Sequence, residues 1–245
     1  MDGALGGGLA RAALHEVYAA ATADVAAATG FALALSIRAA PRRPILWARQ
    51  DFVDAETGRL HAPGLAELGI DPARLLLVRA DRAEEVLRAG AEGARCPALG
   101  AVLIEPWGEP RGLDLTASRR LALAAEESGV TTLLLRLAAT EMPSAARTRW
   151  RVASLPSRPL EANAPGCPSF SLELLRHRGG LARHAWRVEW DRDRQSFLER
   201  TAFDAPRPAI PRTPDAASLS RPVVSVPGDG QAEAARADTG LRRAG

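Results

Sequence analysis

Lysine is missing from this chain: all 32 of its Lys+Arg residues are arginine. That excludes Schiff-base chemistry and any phosphate loop that reaches the outer phosphates with a lysine. Cysteine is scarce. Cys96 and Cys167 are the only two, with no metal-ligand spacing and no base motif beside them. A disulfide scaffold, a zinc site and a cysteine nucleophile are therefore not expected, and a reducing, cytoplasmic setting is. No apolar run reaches the roughly 18 residues of a membrane span. The first residues carry no charged n-region and Asp24 interrupts the alanine stretch, so a signal peptide is not expected either. A continuous basic arm is also lacking. The net charge of +3 comes from dispersed arginines, which permits nucleic-acid proximity without requiring it.

What is present is apolar bulk. Hydrophobic residues make up 47% of the 245, enough for one α/β core with a tail left over. Residues 20–39 read as a helix with Ala26, Phe31, Leu33, Ala34 and Ile37 on its apolar face, ended by Pro41. Ile45-Leu46-Trp47-Ala48 reads as a strand buried on both faces, with Trp47 in the core. A looser stretch from Asp51 to His61 precedes a helix at 62–68 closed by Gly69. Leu75-Leu76-Leu77-Val78 is a second buried strand. Asp81 is expected to cap a helix over 82–94, with Glu84 and Glu85 near its positive end. Residues 99–105 form a third strand, stopped by Pro106. Thr116 or Ser118 opens a helix that Gly129 ends, and 131–135 is the fourth strand.

This alternation predicts a parallel, helix-covered sheet with right-handed crossovers. After residue 140 the pattern changes. Residues 150–155, 171–177 and 185–190 read as antiparallel strands, the last two joined around Gly179-Gly180. The core is expected to span 1–192, with 193–204 as a connecting segment. From about 205 the prolines fall among Arg, Ser, Ala and Gly, a composition that cannot bury enough surface to offset its ordering entropy. Residues 205–245 are therefore predicted to be a disordered Pro/Arg/Ala-rich tail. Within it Val223-Val224-Ser225-Val226 is either a docking segment or a chance apolar run.

Few residues carry catalytic signals. Ser118, Ser128 and Ser144 coexist with His15, His61, His177 and His184, but no serine sits in a nucleophile elbow and the histidines lack ligand spacing. Trp107, just past a strand end beside Gly108 and Pro110, is either core or a partner anchor. Arg147, Arg149, Arg151, Arg176, Arg178, Arg183 and Arg187 cluster around the antiparallel part. They form either a phosphate-contacting surface or a solvated arginine-rich face. Aromatic interleaving is too sparse for base stacking.

The opening Gly6-Gly7-Gly8-Leu9-Ala10-Arg11, continuing through Leu14 and Glu16-Val17, resembles the first core strand of RecA and its relatives. Residues 65–76 resemble the segment after the second RecA core strand, and the 174–190 hairpin resembles the pair that closes the RecA core. The likeness runs in order from about residue 4 to 190. Arg43-Pro44-Ile45-Leu46-Trp47 and Ile104-Glu105-Pro106-Trp107-Gly108 resemble the ImuA family in particular, degenerate RecA homologues of bacterial damage-induced mutagenesis cassettes.

The resemblance implies a RecA-like α/β fold, a mostly parallel twisted sheet with an antiparallel C-terminal extension. It also fixes where an ATPase site would stand. The phosphate slot, between Val17 and the 20–39 helix, offers Ala19, Ala20, Ala21, Thr22 and Asp24, with no lysine and no glycine-rich turn. Asp24 would repel a phosphate. The metal slot holds Glu105 where RecA proteins usually place Asp. The slot of the family's catalytic carboxylate holds Gln50, which can orient water but cannot take its proton.

No catalysis, cofactor or metal is expected from these positions. The implied role is SOS-induced translesion synthesis through protein contacts: with ImuB, a Y-family-like polymerase relative, with an error-prone replicative-type polymerase, and with RecA. RecA's N-terminal oligomerisation helix and strand have no counterpart before the core, so long self-filaments are not expected. Other readings stay open. One is a cell-division inhibitor resembling SulA. Another is a residual ATPase using Glu105 with Asp51, and a third is single-strand DNA binding through the 147–187 arginines.

Overall fold

The computed structural model describes residues 1–200; the predicted disordered tail over 205–245, including 223–226, lies outside the described residues. In chain order the elements are β1 (Leu14–Ala19), α1 (Val25–Ala39), β2 (Ile45–Gln50), α2 (Phe52–Thr57), α3 (Ala62–Leu68), β3 (Leu75–Ala80), α4 (Ala83–Ala94), β4 (Ala101–Glu105), α5 (Leu115–Ser128) and β5 (Thr131–Arg136). Four more strands follow: β6 (Thr148–Leu155), β7 (Ser169–His177), β8 (His184–Asp191) and β9 (Ser196–Glu199). They join one sheet in the order β3-β2-β4-β5-β1-β6-β7-β8-β9. The first six in that order pair in parallel and β7, β8 and β9 add antiparallel strands. The α/β class and the antiparallel extension are as the sequence implied.

Period-two alternation divides the core into two layers. On one face Val17, Trp47, Leu103, Leu133, Leu135 and Trp150 pack against α1. On the other, Leu14, Leu46, Val102, Ile104 and Leu134 pack against Val86 of α4 and Leu121 of α5. Residues 31–37 of α1 are buried without interruption, because the curling antiparallel strands cover the side of the helix that the parallel strands do not. Ala26, expected on its apolar face, is exposed. Phe31 meets Trp150 at 5.8 Å and Phe197 at 5.3 Å. Trp190 reaches Phe197 at 4.9 Å and donates its indole N–H to the carbonyl of Leu68 at 2.9 Å, which satisfies its one polar atom.

Several expectations are corrected. β3 is an edge strand, not a buried one: Leu76 is 50% and Leu77 42% exposed, since an apolar run alone does not say whether a second neighbour exists. The stretch 51–61 contains α2. Asp81 does not cap α4, whose N-cap is Arg82 with no side-chain bond. α5 is capped by Asp114, whose carboxylate accepts from the Ala117 N–H at 2.7 Å. Ser118, one candidate cap, is buried inside the helix and accepts from the Ala145 N–H. β6 runs parallel to β1 and only its other edge is antiparallel. Residues 196–199, expected in a connection, form β9 against β8.

Gly100, entering β4, has no room for a side chain. A Cβ there would lie 2.4 Å from Ala40 Cβ and 3.0 Å from Ala40 Cα, and the Gly100 N–H already bonds Pro44 at 2.9 Å. Gly100→Ala is expected to lose about 1–3 kcal/mol by overpacking, read as a lower urea midpoint with an unchanged slope.

Candidate functional site

Ala19, Gln50 and Glu105 are the last residues of β1, β2 and β4. The three nucleotide slots therefore do converge at the carboxyl edge of the parallel strands, where ligands of such sheets bind. Each slot is occupied by internal chemistry.

The turn from β1 to α1 has no glycine and is tied to β6. Ala20 N–H bonds the Val152 carbonyl at 2.8 Å. Asp24 Oδ1 accepts from both the N–H and the hydroxyl of Ser154, each at 2.8 Å. A phosphate cradle needs several backbone N–H groups turned inward. Here Asp24 clamps the turn, which is a structural task the sequence did not announce.

Glu105 is fully buried. Its carboxylate accepts from the Trp47 indole N–H at 2.7 Å and lies 3.2 Å from Arg49 Nε. β2 and β4 pair Arg49 opposite Glu105, so the two side chains share a face by register. Arg49 also meets Asp54 at 3.1 Å and donates to Thr57 Oγ1 at 3.2 Å. Asp54 in turn meets Arg79, which reaches Asp51 at 2.6 Å. Asp51, the alternative catalytic carboxylate, is thus turned toward β3. Burial pushes the Glu105 carboxyl up to about 7, against the opposing pull of Arg49. A metal ion would have to displace a guanidinium from a closed site. These residues do not fit a magnesium-nucleotide complex.

Gln50 uses both ends of its amide. Nε2 donates to the Asp81 carbonyl at 3.1 Å and Oε1 accepts from the Trp107 N–H at 3.0 Å. It binds the ends of β2, β3 and β4 together. Trp107 is half-buried, bridges to Leu137 beyond β5, and stands 5.8 Å edge-on from the exposed Phe52.

The candidate arginines divide. Arg149 is buried and pairs with Glu16 at 2.9 Å. Arg151 lies between Glu173, at 2.7 Å, and Glu141. Arg183 also pairs with Glu173, at 2.8 Å, and Arg176 donates to the Ser144 carbonyl at 2.8 Å. Arg147, Arg176, Arg178, Arg183 and Arg187 are exposed, and the Arg178 N–H bonds the Arg147 carbonyl at 2.9 Å. His177 and His184 flank the β7–β8 turn, with the ring of His184 4.4 Å from Trp186. His15 is fully buried between Thr148 Oγ1, at 2.7 Å, and the Ala10 carbonyl, at 2.8 Å. Among the described residues no His/Cys/Asp/Glu group could hold a metal, and no helix is long and apolar enough to cross a membrane.

Two groups were missed by sequence reasoning. One is Arg49. The other is the gathering of Glu16, Tyr18 and Arg136 around Arg149, which the sequence offered only as a surface cation, with both guanidiniums over the Tyr18 ring at 5.6 and 5.8 Å. Polar residues inside otherwise apolar strands were the available signal.

No protein-family model matches the sequence. Over 190 residues the chain is 34% identical to "Protein ImuA" of Caulobacter vibrioides (strain NA1000 / CB15N), covering 71% of this chain and 74% of that protein. The same figures hold for the protein of strain ATCC 19089 / CIP 103742 / CB 15. Among solved structures the RadB recombinase superposes with a TM-score of 0.50 at 16% identity, covering 78% of this chain and 93% of that one.

Proposed function

The chain belongs to the ImuA family, and from that premise we propose that it serves damage-induced mutagenesis as a RecA-like accessory protein without catalysis of its own. It acts in translesion synthesis by contact with an ImuB-like polymerase relative, with RecA and with the error-prone replicative-type polymerase. The observation that carries the reading is the Arg49–Glu105 pair: the carboxylate that would orient a metal is already closed against an internal cation, under the Trp47 indole. A frame kept while its chemistry is filled in is a frame kept for its surfaces.

The surface best suited to a partner is the outer edge of β3. Among the described residues it is an unpaired edge of the sheet, and Leu76, Leu77 and Val78 are exposed there. Such an edge accepts a strand from another chain by main-chain pairing. Calorimetry with Mg-ATP is expected to show no binding; a micromolar affinity would sink the non-catalytic reading. In pull-downs between purified proteins, Leu77→Lys is expected to weaken capture of the ImuB-like partner about tenfold, the scale of one lost interface anchor. Retention at full strength would move the contact elsewhere.

A further inference from the structure

A second feature lies on the α1 face, away from β3. A trough of about 520 Å³ runs between the first half of α1, the 57–65 stretch and the loop joining β6 to β7. Its volume is that of a ligand pocket, which is typically about 300–1,000 Å³. The apolar lining includes Leu33, Trp47, Leu65 and Phe170. The polar groups around it are one-sided. Arg59 and His61 are the ionisable ones, with hydroxyls of Thr29, Thr57, Ser157 and Ser169, and among the described residues no carboxylate lines it. His61 Nδ1 accepts from the Gly64 N–H, which fixes the tautomer with Nε2–H as a donor. Ser157 Oγ accepts from the Gly166 N–H and Ser169 Oγ donates to the Cys167 carbonyl, so the charge of the rim rests on Arg59. The trough is open to solvent along its length, so a small molecule lying in it would stay largely wet, whereas a side chain inserted by a larger body would be covered by that body.

We infer that this trough receives a segment of a protein partner that presents a large apolar side chain flanked by an acidic one. The apolar chain packs on the half-buried Leu60 and Leu65 of the wall, over a floor that includes Phe170, while its carboxylate faces Arg59. This rests on the reading that the protein works by protein contacts, and it adds a site distinct from the β3 edge.

Two variants test it, each first checked for an unchanged urea midpoint. Gly30 lies inside α1, where a Cβ would stand in van der Waals contact with the Phe170 ring at 3.7 Å. Gly30→Leu therefore plugs the trough and raises helix propensity. Arg59→Glu reverses the rim charge at an exposed position. The first probe is anilinonaphthalene sulfonate, an apolar anion, set against uncharged N-phenylnaphthylamine.

Gly30→Leu is expected to weaken both probes roughly tenfold or more, the scale of one displaced apolar group. Arg59→Glu is expected to weaken the sulfonate about fivefold and leave the neutral probe unchanged. Equal binding by wild type and Gly30→Leu overturns the proposal. So does a neutral probe that loses as much as the sulfonate in Arg59→Glu. Panning a random dodecapeptide phage library on the full chain then decides the source. Enrichment of acidic-flanked apolar sequences on wild type but not on Gly30→Leu supports a protein partner; enrichment of basic sequences, or of none, overturns it. None of these readouts uses ATP or the β3 edge, so they stand or fall separately from the Mg-ATP and Leu77→Lys tests.

Discussion

Arg149→Met is expected to lower the unfolding free energy by about 3–5 kcal/mol, the usual cost of stripping one partner from a buried ion pair. Glu16 has a side chain 1% exposed and Arg149 one 10% exposed. The Glu16 carboxylate also accepts from Ser144 Oγ at 2.7 Å, and Arg149 donates to that same hydroxyl at 3.0 Å. Removing the guanidinium leaves a carboxylate sealed between β1 and β6 with one neutral donor. The double variant Glu16→Gln/Arg149→Met removes the stranded charge and is expected to recover at least half of the loss, which urea unfolding of the four proteins in the cycle measures.

The same variant separates two readings of the arginines around β6. A phosphate contact would lower DNA affinity and its salt slope while leaving stability alone. The buried pair predicts the reverse. A stability loss under about 1 kcal/mol would mean that the pair does not hold these strands.

The second large effect is a pair of opposed pH dependences. Burial raises the Glu105 carboxyl from 4.5 to about 7 and lowers His15 from 6.5 to about 4. Each shift corresponds to about 3 kcal/mol. For Glu105 the folded state binds the proton more tightly. Its stabilisation is complete below pH 4.5 and is lost as pH rises through about 7. For His15 the unfolded state binds the proton more tightly. Its contribution is complete above pH 6.5 and is lost as pH falls toward 4.

The two slopes nearly cancel in the wild-type protein between pH 4.5 and 6.5. Glu105→Gln is expected to expose the histidine alone, so that stability falls by about 3 kcal/mol on acidification. His15→Gln is expected to expose the glutamate, so that stability rises as pH drops across the same window. Other carboxylates contribute equally to all three proteins, and the differences between profiles isolate the single groups. Parallel profiles would show that neither group is perturbed by its burial.

Much of the frame was legible in local sequence. The run 45–48 and the run 131–135 are strands in the core, and 62–68 is a helix ended by Gly69 in the left-handed region at φ 99°. These features depend on near neighbours: period, caps and turn chemistry. Some errors were local, at the caps of α4 and α5 and over α2; the larger ones concerned distant neighbours. Leu75-Leu76-Leu77-Val78 reads like any buried run, but burial needs a neighbour on both sides and β3 has one. Residues 196–199 carry a weak strand signal and become β9 because Trp190 and Phe31 offer Phe197 an aromatic surface. For the candidate site, the sequence located Gln50 and Glu105 at strand ends and Asp24 at the start of α1 without saying what they bind.

By itself the sequence determined that this protein has no lysine and that its core alternates strands and helices. Only the tertiary structure decided what Glu105 and Glu16 bind. Arg49 lies 56 positions before Glu105 and Arg149 lies 133 after Glu16; each pair meets because parallel register sets two strands side by side with their side chains on one face. Whether an arginine is a solvated cation or an internal counter-ion depends on that pairing and on the layer above it. A linear reading of charge cannot supply either.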